Sequence, residues 1–167
     1  MNNYDPEQQY GALAWRQANG VEILLITSRQ TKRWLIPKGW PIDDKSPSEG
    51  AAQEAFEEAG IRGETNSVTL GSFDYEKRLK GSISQSCRVA VFALEVKEIL
   101  EDWPEAHERE RRWYPADEAA ALVEEAQLAE IIRRFARDQS GGELQNPGHL
   151  QEVWQKLAGV LRRAAAL

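Results

Sequence analysis

GWPIDDKSPSEGAAQEAFEEAGI, residues Gly39 to Ile61, is the stretch on which the reading of the chain turns. Its first half, with the preceding Pro37, is a loop rich in Pro, Gly and Asp through which no helix can run. Ser46 or Ser48 is placed to cap a helix that continues to Ala59, and Gly60 stands where a helix stops in the left-handed conformation. On that helix Ala52, Ala55, Phe56 and Ala59 share an arc of about 100°, the face expected to pack on a sheet. Glu54, Glu57 and Glu58 share a second arc of about 100°. Like charges at these spacings destabilise a helix by a few tenths of a kcal/mol per pair, roughly. No basic residue at Gly50, Ala51, Ala55 or Ile61 relieves them. A hard divalent cation, Mg²⁺ or Mn²⁺, would do so through oxygen ligands. The plain alternative is a solvated acidic face. The irregular loop and Gly60 favour the ion, because they hold that face beside backbone carbonyls.

Working outward, Tyr10–Arg16 and Val21–Ser28 read as a β-hairpin around Asn19-Gly20, followed by a short extended piece at Trp34–Ile36. Beyond the helix, Ser67–Tyr75 and Ser84–Val96 read as strands joined near Lys80-Gly81. The nearly continuous apolar run from Cys87 to Leu94 suits a central strand covered on both faces. Arg111–Tyr114 reads as a last strand, Pro115 opens a helix to about Val123, and Leu128–Arg137 reads as another with Ile131, Ile132 and Phe135 inward. The expected fold class is α/β, an α/β/α sandwich on a mixed sheet. The boundary falls at residue 138: residues 139–167 read as a linker marked by Ser140-Gly141-Gly142 and Pro147-Gly148, then an extra C-terminal amphipathic helix carrying Leu150, Trp154 and Leu157. That helix suits docking on its own domain or a contact between copies, so the chain is expected to be a monomer or a homodimer.

At 167 residues, 41% hydrophobic and 29% charged, the chain suits one compact domain and not a fibrous or disordered class. A net charge of −6 argues against wrapping a nucleic acid duplex. Most of the excess acid follows residue 97, so a polyanion site is expected in the earlier part. No apolar run is long enough to span a membrane, and MNNYDPEQQ does not look like an export signal. Cys87 is the single cysteine, which excludes an internal disulfide and a Cys-rich metal site. A cytoplasmic location is expected. Cys87, Trp34 and Trp103 are expected to pack, as is Trp40, and His107 and His149 stand apart from other ligand types.

Gly39, Lys45 and the run Gln53 to Ile61 together resemble the box motif of the Nudix hydrolases, which cleave nucleoside diphosphates linked to another moiety. Pro37-Lys38-Gly39-Trp40, Trp103-Pro104-Glu105 and Arg111 to Pro115 are similar to the subgroup of diphosphoinositol polyphosphate phosphohydrolases. Lys45 stands where the box usually has Glu, and Gln53 where it usually has Arg. The resemblance covers about residues 10–138. It implies a Nudix-like sandwich and a pyrophosphohydrolase using Mg²⁺, or Mn²⁺, in which water attacks phosphorus. Glu54, Glu57 and Glu58 become the catalytic and metal-binding residues, Glu57 and Glu58 as ligands and Glu54 as either a third ligand or the base, with a carbonyl near Gly39 as a further ligand. Glu108 and Glu110 are candidate bases. Lys32, Arg33, Lys38, Arg78, Lys80 and Arg88 are candidate contacts to a small-molecule polyphosphate, a diphosphoinositol polyphosphate or a dinucleoside polyphosphate. An ADP-ribose or nucleotide-sugar pyrophosphatase, and a non-catalytic ligand-binding module of the same fold, are the rival readings.

Overall fold

The computed structural model describes residues 5–144. In chain order the elements are β1 (Glu7–Ala18), β2 (Gly20–Thr27), β3 (Trp34–Leu35), β4 (Lys38–Gly39), α1 (Pro47–Ala59), β5 (Ile61–Thr65), β6 (Gly71–Arg78), β7 (Ser84–Ile99), β8 (Arg111–Pro115), α2 (Ala116–Leu122) and α3 (Ala126–Leu144). β1 runs parallel to β7, and the remaining pairings are antiparallel, so the sheet is mixed as expected.

The long strand β7 organises the sheet. One of its edges takes β1 from Glu7↔Cys87 to Trp15↔Glu95; the other takes β6 along its first half and β5 along its second. Alternation along β7 then sends side chains to two cores. Val89, Val91 and Ala93 meet α2 and α3 through Ala119, Leu128, Ile132 and Phe135. Phe92 and Leu94 meet α1 through Ala51, Ala55 and Ala59. This is the expected sandwich.

What positions the site is a splay between the first two strands. β1 and β2 pair only near their turn, from Ala18↔Gly20 to Trp15↔Ile23. Farther out they part: β2 takes β3 at Ile26↔Leu35, and β1 takes β4 at Tyr10↔Gly39 and Gly11↔Lys38. The Ala12 amide donates to the Pro37 carbonyl at 3.0 Å, which carries the chain across the gap. β4 thus lies inside the segment expected to be irregular. Two residues carry no hydrophobic period, and only the hydrogen bonds from β1 make them a strand.

Other differences have equally local causes. β5 was not expected: only Ile61 of its residues is buried, so no alternation announces it. The strand expected from Ser67 starts at Gly71, because the Asn66 side chain accepts from the Val68 amide and holds a turn. α3 runs on through Ser140-Gly141 to Leu144 in place of the expected linker, at about 1 kcal/mol per glycine. The expected C-terminal helix lies outside the described residues. Cys87 is buried, as expected.

Candidate functional site

α1 begins with reciprocal caps: the Glu49 amide donates to Ser46 Oγ at 3.4 Å, and the Ser46 amide donates to Glu49 Oε2 at 2.7 Å. Pro47 occupies the first turn, where its missing N–H costs nothing. The helix stops at Gly60, with φ 63°. Its buried stripe is Ala51, Ala55 and Ala59, each with no exposed surface. The expected stripe was Ala52, Ala55, Phe56 and Ala59. The helix is therefore turned from that expectation, and Phe56 lies under the Arg62 guanidinium at the rim. This turn brings Glu58 inward to 8% exposure, beside the alanine stripe.

Glu54 lies against Gly39. A Cβ added to Gly39 would stand 2.1 Å from Glu54 Oε1, so the carboxylate occupies the space that a side chain would fill. Glu58 Oε2 accepts from the Lys38 amide at 3.2 Å, and its Oε1 accepts from Arg109 Nη2 at 3.2 Å. Glu57 Oε1 accepts from Gln53 Nε2 at 2.8 Å, so the Gln that replaces the usual Arg still tethers a carboxylate of the helix. Lys45 is exposed.

The segment between β7 and β8 closes over the end of α1. The Trp103 indole donates to the Glu58 carbonyl at 3.1 Å, and the Glu105 amide donates to the Glu57 carbonyl at 3.1 Å. Arg111 Nη1 donates to the Ala59 carbonyl at 2.8 Å, so a distant guanidinium serves the helix end, which has no basic residue in its own last turn. Arg109, with its side chain 8% exposed, donates to Glu58, to Glu105 Oε2 at 2.9 Å and to the Thr27 carbonyl at 3.0 Å. Glu105 is a fourth carboxylate at the site.

Burial pushes the Glu58 carboxyl up to about 7, with Arg109 and Lys38 opposing and Glu54 and Glu105 adding to the rise. Burial raises Glu54 as well, and Glu57 and Glu105 reinforce it. Loss of water lowers the Lys38 ammonium, which Glu58 partly restores. Among the described residues no three His, Cys, Asp or Glu side chains converge closely enough to enclose an ion. The donor chemistry nevertheless fits a hard cation: the donors are oxygens, and an added positive charge would offset the raised carboxyls of buried Glu58 and half-buried Glu54.

The sign of one pH effect follows. The folded protein holds the Glu58 proton more tightly than the unfolded chain, whose carboxyl titrates near the ordinary value of 4.5. Stability present below that value is therefore lost as pH rises toward and through about 7. Without added metal, the melting temperature is expected to fall over that window. Mn²⁺ is expected to reverse the fall, because binding favours the ionised carboxylate. Thermal melts across pH, with and without Mn²⁺, check this.

The expected basic contacts divide. Lys38 stands at the site, its ammonium 4.6 Å from the centre of the Tyr75 ring. Arg33 pairs with Glu124 at 2.7 Å and Glu125 at 3.2 Å. Lys32 donates to the Glu108 carbonyl at 3.2 Å. Arg88 is held by both oxygens of Asp74, at 2.8 and 2.9 Å. Arg78 alternates onto the sheet face opposite Tyr75, and Lys80 is exposed at the hairpin turn. Both candidate bases are exposed: Glu108 faces Arg29 at 3.5 Å, while the Glu110 backbone is tied to Thr27. Sequence reasoning missed Glu105 and Arg109. The signal for Arg109 was the alternation into β8, which puts it on the same side as Arg111.

The span that carries this loop, helix and closing segment is similar to known proteins. The chain matches the NUDIX domain over residues 7–139. It belongs to the NUDIX family. Nudix hydrolase 12, mitochondrial, of Arabidopsis thaliana is 34% identical over 122 residues, 71% of this chain and 60% of that protein. Diphosphoinositol polyphosphate phosphohydrolase 3-beta of Bos taurus is 33% identical over 127 residues, 72% of this chain and 73% of that protein. The chain thus spans about three fifths of the length of the plant relative. Among solved structures, the C. elegans Ap4A hydrolase binary complex superposes with TM-score 0.60 at 20% identity, over 81% of this chain and 98% of that one, a likeness of fold. Among the described residues no helix of this NUDIX chain is long and apolar enough to cross a membrane.

Proposed function

We propose that this NUDIX domain hydrolyses a diphosphate linkage in a phosphorylated small molecule, using Mg²⁺ or Mn²⁺ held by Glu54, Glu57, Glu58 and a backbone oxygen near Gly39. The observation that carries this reading is the arrangement of two carboxylates, Glu58 buried at the end of α1 and half-buried Glu54 seated in the space left by Gly39. A divalent cation bound there offsets charge developing on phosphoryl oxygens and makes water a nucleophile near neutral pH.

The chain supplies the rest. Arg109 fixes Glu58 and Glu105 relative to each other and to the Thr27 carbonyl. We assign Glu105 as the base in place of Glu108 and Glu110, because Arg109 holds it beside Glu58 while the other two lie in solvent. Glu105→Gln is expected to lower kcat by on the order of a hundredfold, and Glu108→Gln or Glu110→Gln to stay within about twofold. Steady-state rates of the three variants decide the assignment.

The names of the relatives support a highly phosphorylated substrate, a diphosphoinositol polyphosphate or a dinucleoside polyphosphate. The test is a panel of these with ADP-ribose and a nucleotide sugar, compared by kcat/KM with and without Mg²⁺ or Mn²⁺. Metal-dependent release of phosphorylated products is expected. Binding of these compounds without turnover would replace the hydrolase by a ligand-binding module.

A further inference from the structure

β6 borders the sheet. One of its edges is bonded to β7; the other meets no strand among the described residues. The Leu79 amide donates to the Ile83 carbonyl at 2.9 Å, which turns the backbone of Leu79, and by alternation that of Lys77 and Tyr75, toward β7. The amides and carbonyls of Asp74, Glu76 and Arg78 therefore point outward. Such an edge is a template for another strand, and folded chains usually cover it. Here α3 covers the first half: Gln127 Oε1 accepts from the Asp74 amide at 2.8 Å, and the Arg134 guanidinium donates to the Leu70 carbonyl. The second half, Glu76 to Arg78, is left open among the described residues. It leads to Leu79 and Ile83, which are 43% and 65% exposed.

Charge indicates what fits there. Asp74 lies opposite Arg88 on β7, and the two form an ion pair. Glu76 and Arg78 lie opposite Ser86 and Ser84, so neither has a counter-charge across the strand. Two opposite charges two residues apart on one face are the complement of the same strand run backwards. A second β6, antiparallel about a two-fold axis through Lys77, sets Glu76 opposite Arg78 and Arg78 opposite Glu76. Both rungs fall at outward positions, so each also exchanges main-chain hydrogen bonds, with Cα atoms about 5.5 Å apart. On the other face Leu79 of one copy meets Tyr75 of the other. Lys77 meets its counterpart, but its ammonium is drawn back over the Trp40 ring of its own chain at 4.8 Å. A register centred on Glu76 would instead oppose two glutamates and offer Arg78 an Asp74 that Arg88 already holds.

We propose that two copies of this chain pair through the second half of β6, antiparallel and centred on Lys77, so that two sheets become one. The contact is short, which makes the dimer weak and reversible, with a dissociation constant on the order of 10 to 100 µM. Sedimentation velocity of the full chain over a concentration range spanning that value tests it. The wild type is expected to pass from monomer to dimer. Arg78→Glu leaves only carboxylates along the open edge and Glu76→Arg leaves only guanidinium groups, so each is expected to weaken self-association about tenfold or more. An equal mixture of these two variants restores opposite charges on both rungs and is expected to associate as well as the wild type; so is the double exchange Glu76→Arg with Arg78→Glu. Both positions are exposed, and thermal melts check that each variant is folded. A wild type that stays monomeric throughout overturns the proposal. Self-association that neither single variant weakens overturns it as well, because the dimer then uses another surface. Weakened single variants that neither mixing nor the double exchange restores overturn the pairing of Glu76 with Arg78.

Discussion

Glu58→Gln is expected to lower kcat/KM for any substrate of the site by on the order of a thousandfold, and to leave the melting temperature equal to or above that of the wild type near pH 8. Glutamine has the same shape and keeps one acceptor, which can take the Lys38 amide, while Arg109 keeps Glu105 and the Thr27 carbonyl as partners. The ionised Glu58 stands at a position where burial penalises charge, so removing that charge lifts a cost from the folded state. Loss of activity with gain of stability separates a functional carboxylate from a structural one, since a structural ion pair broken at one end would destabilise. Initial rates in saturating Mg²⁺ together with thermal melts check both halves. Activity within tenfold of the wild type would remove Glu58 from the chemistry.

The second large effect comes from a residue with no side chain. Gly39→Ala is expected to weaken Mn²⁺ binding and lower kcat/KM by about 10- to 100-fold while the protein stays folded. The new methyl group would lie 2.1 Å from Glu54 Oε1, the far end of a flexible side chain, which swings aside at small cost to the fold. Gly63→Ala is the contrasting control. Its Cβ would lie 1.9 Å from the Glu95 carbonyl oxygen, a backbone atom of the paired strand, so β5 must part from β7 and the melting temperature must drop. Mn²⁺ titrations and melts of the two variants distinguish a cradle from a close strand contact.

Much of the scaffold was legible because its signals are local. A capping serine, Ser46 or Ser48, and Gly60 at the end mark α1 in the sequence, the structure choosing Ser46, and the apolar run from Cys87 to Leu94 suits a covered strand. The rotation of α1 was less legible: Ala51 and Ala52 are chemically equal, and only the sheet beneath decides which is buried. Glu54, Glu57 and Glu58 could be picked out because they crowd one helix. Glu105 and Arg109 could not, because their nearness to Glu58 is created by a return of the chain some fifty residues later. Glu108 and Glu110 were preferred as bases for their closeness to β8, yet alternation through that segment sends Arg109 and Arg111 inward to α1. Among the basic residues, sequence shows charge but not whether a carboxylate already satisfies it, which is why Arg33 and Arg88 looked more available than they are.

The stretch from Leu100 to Arg111 serves as a clasp with two duties. It stops the carbonyl end of α1 with Trp103 and Arg111, and it brings Glu105 and Arg109 beside Glu58. Loosening this one stretch, as Trp103→Ala would, is therefore expected to fray the end of α1 and to scatter Glu105 and Arg109 together.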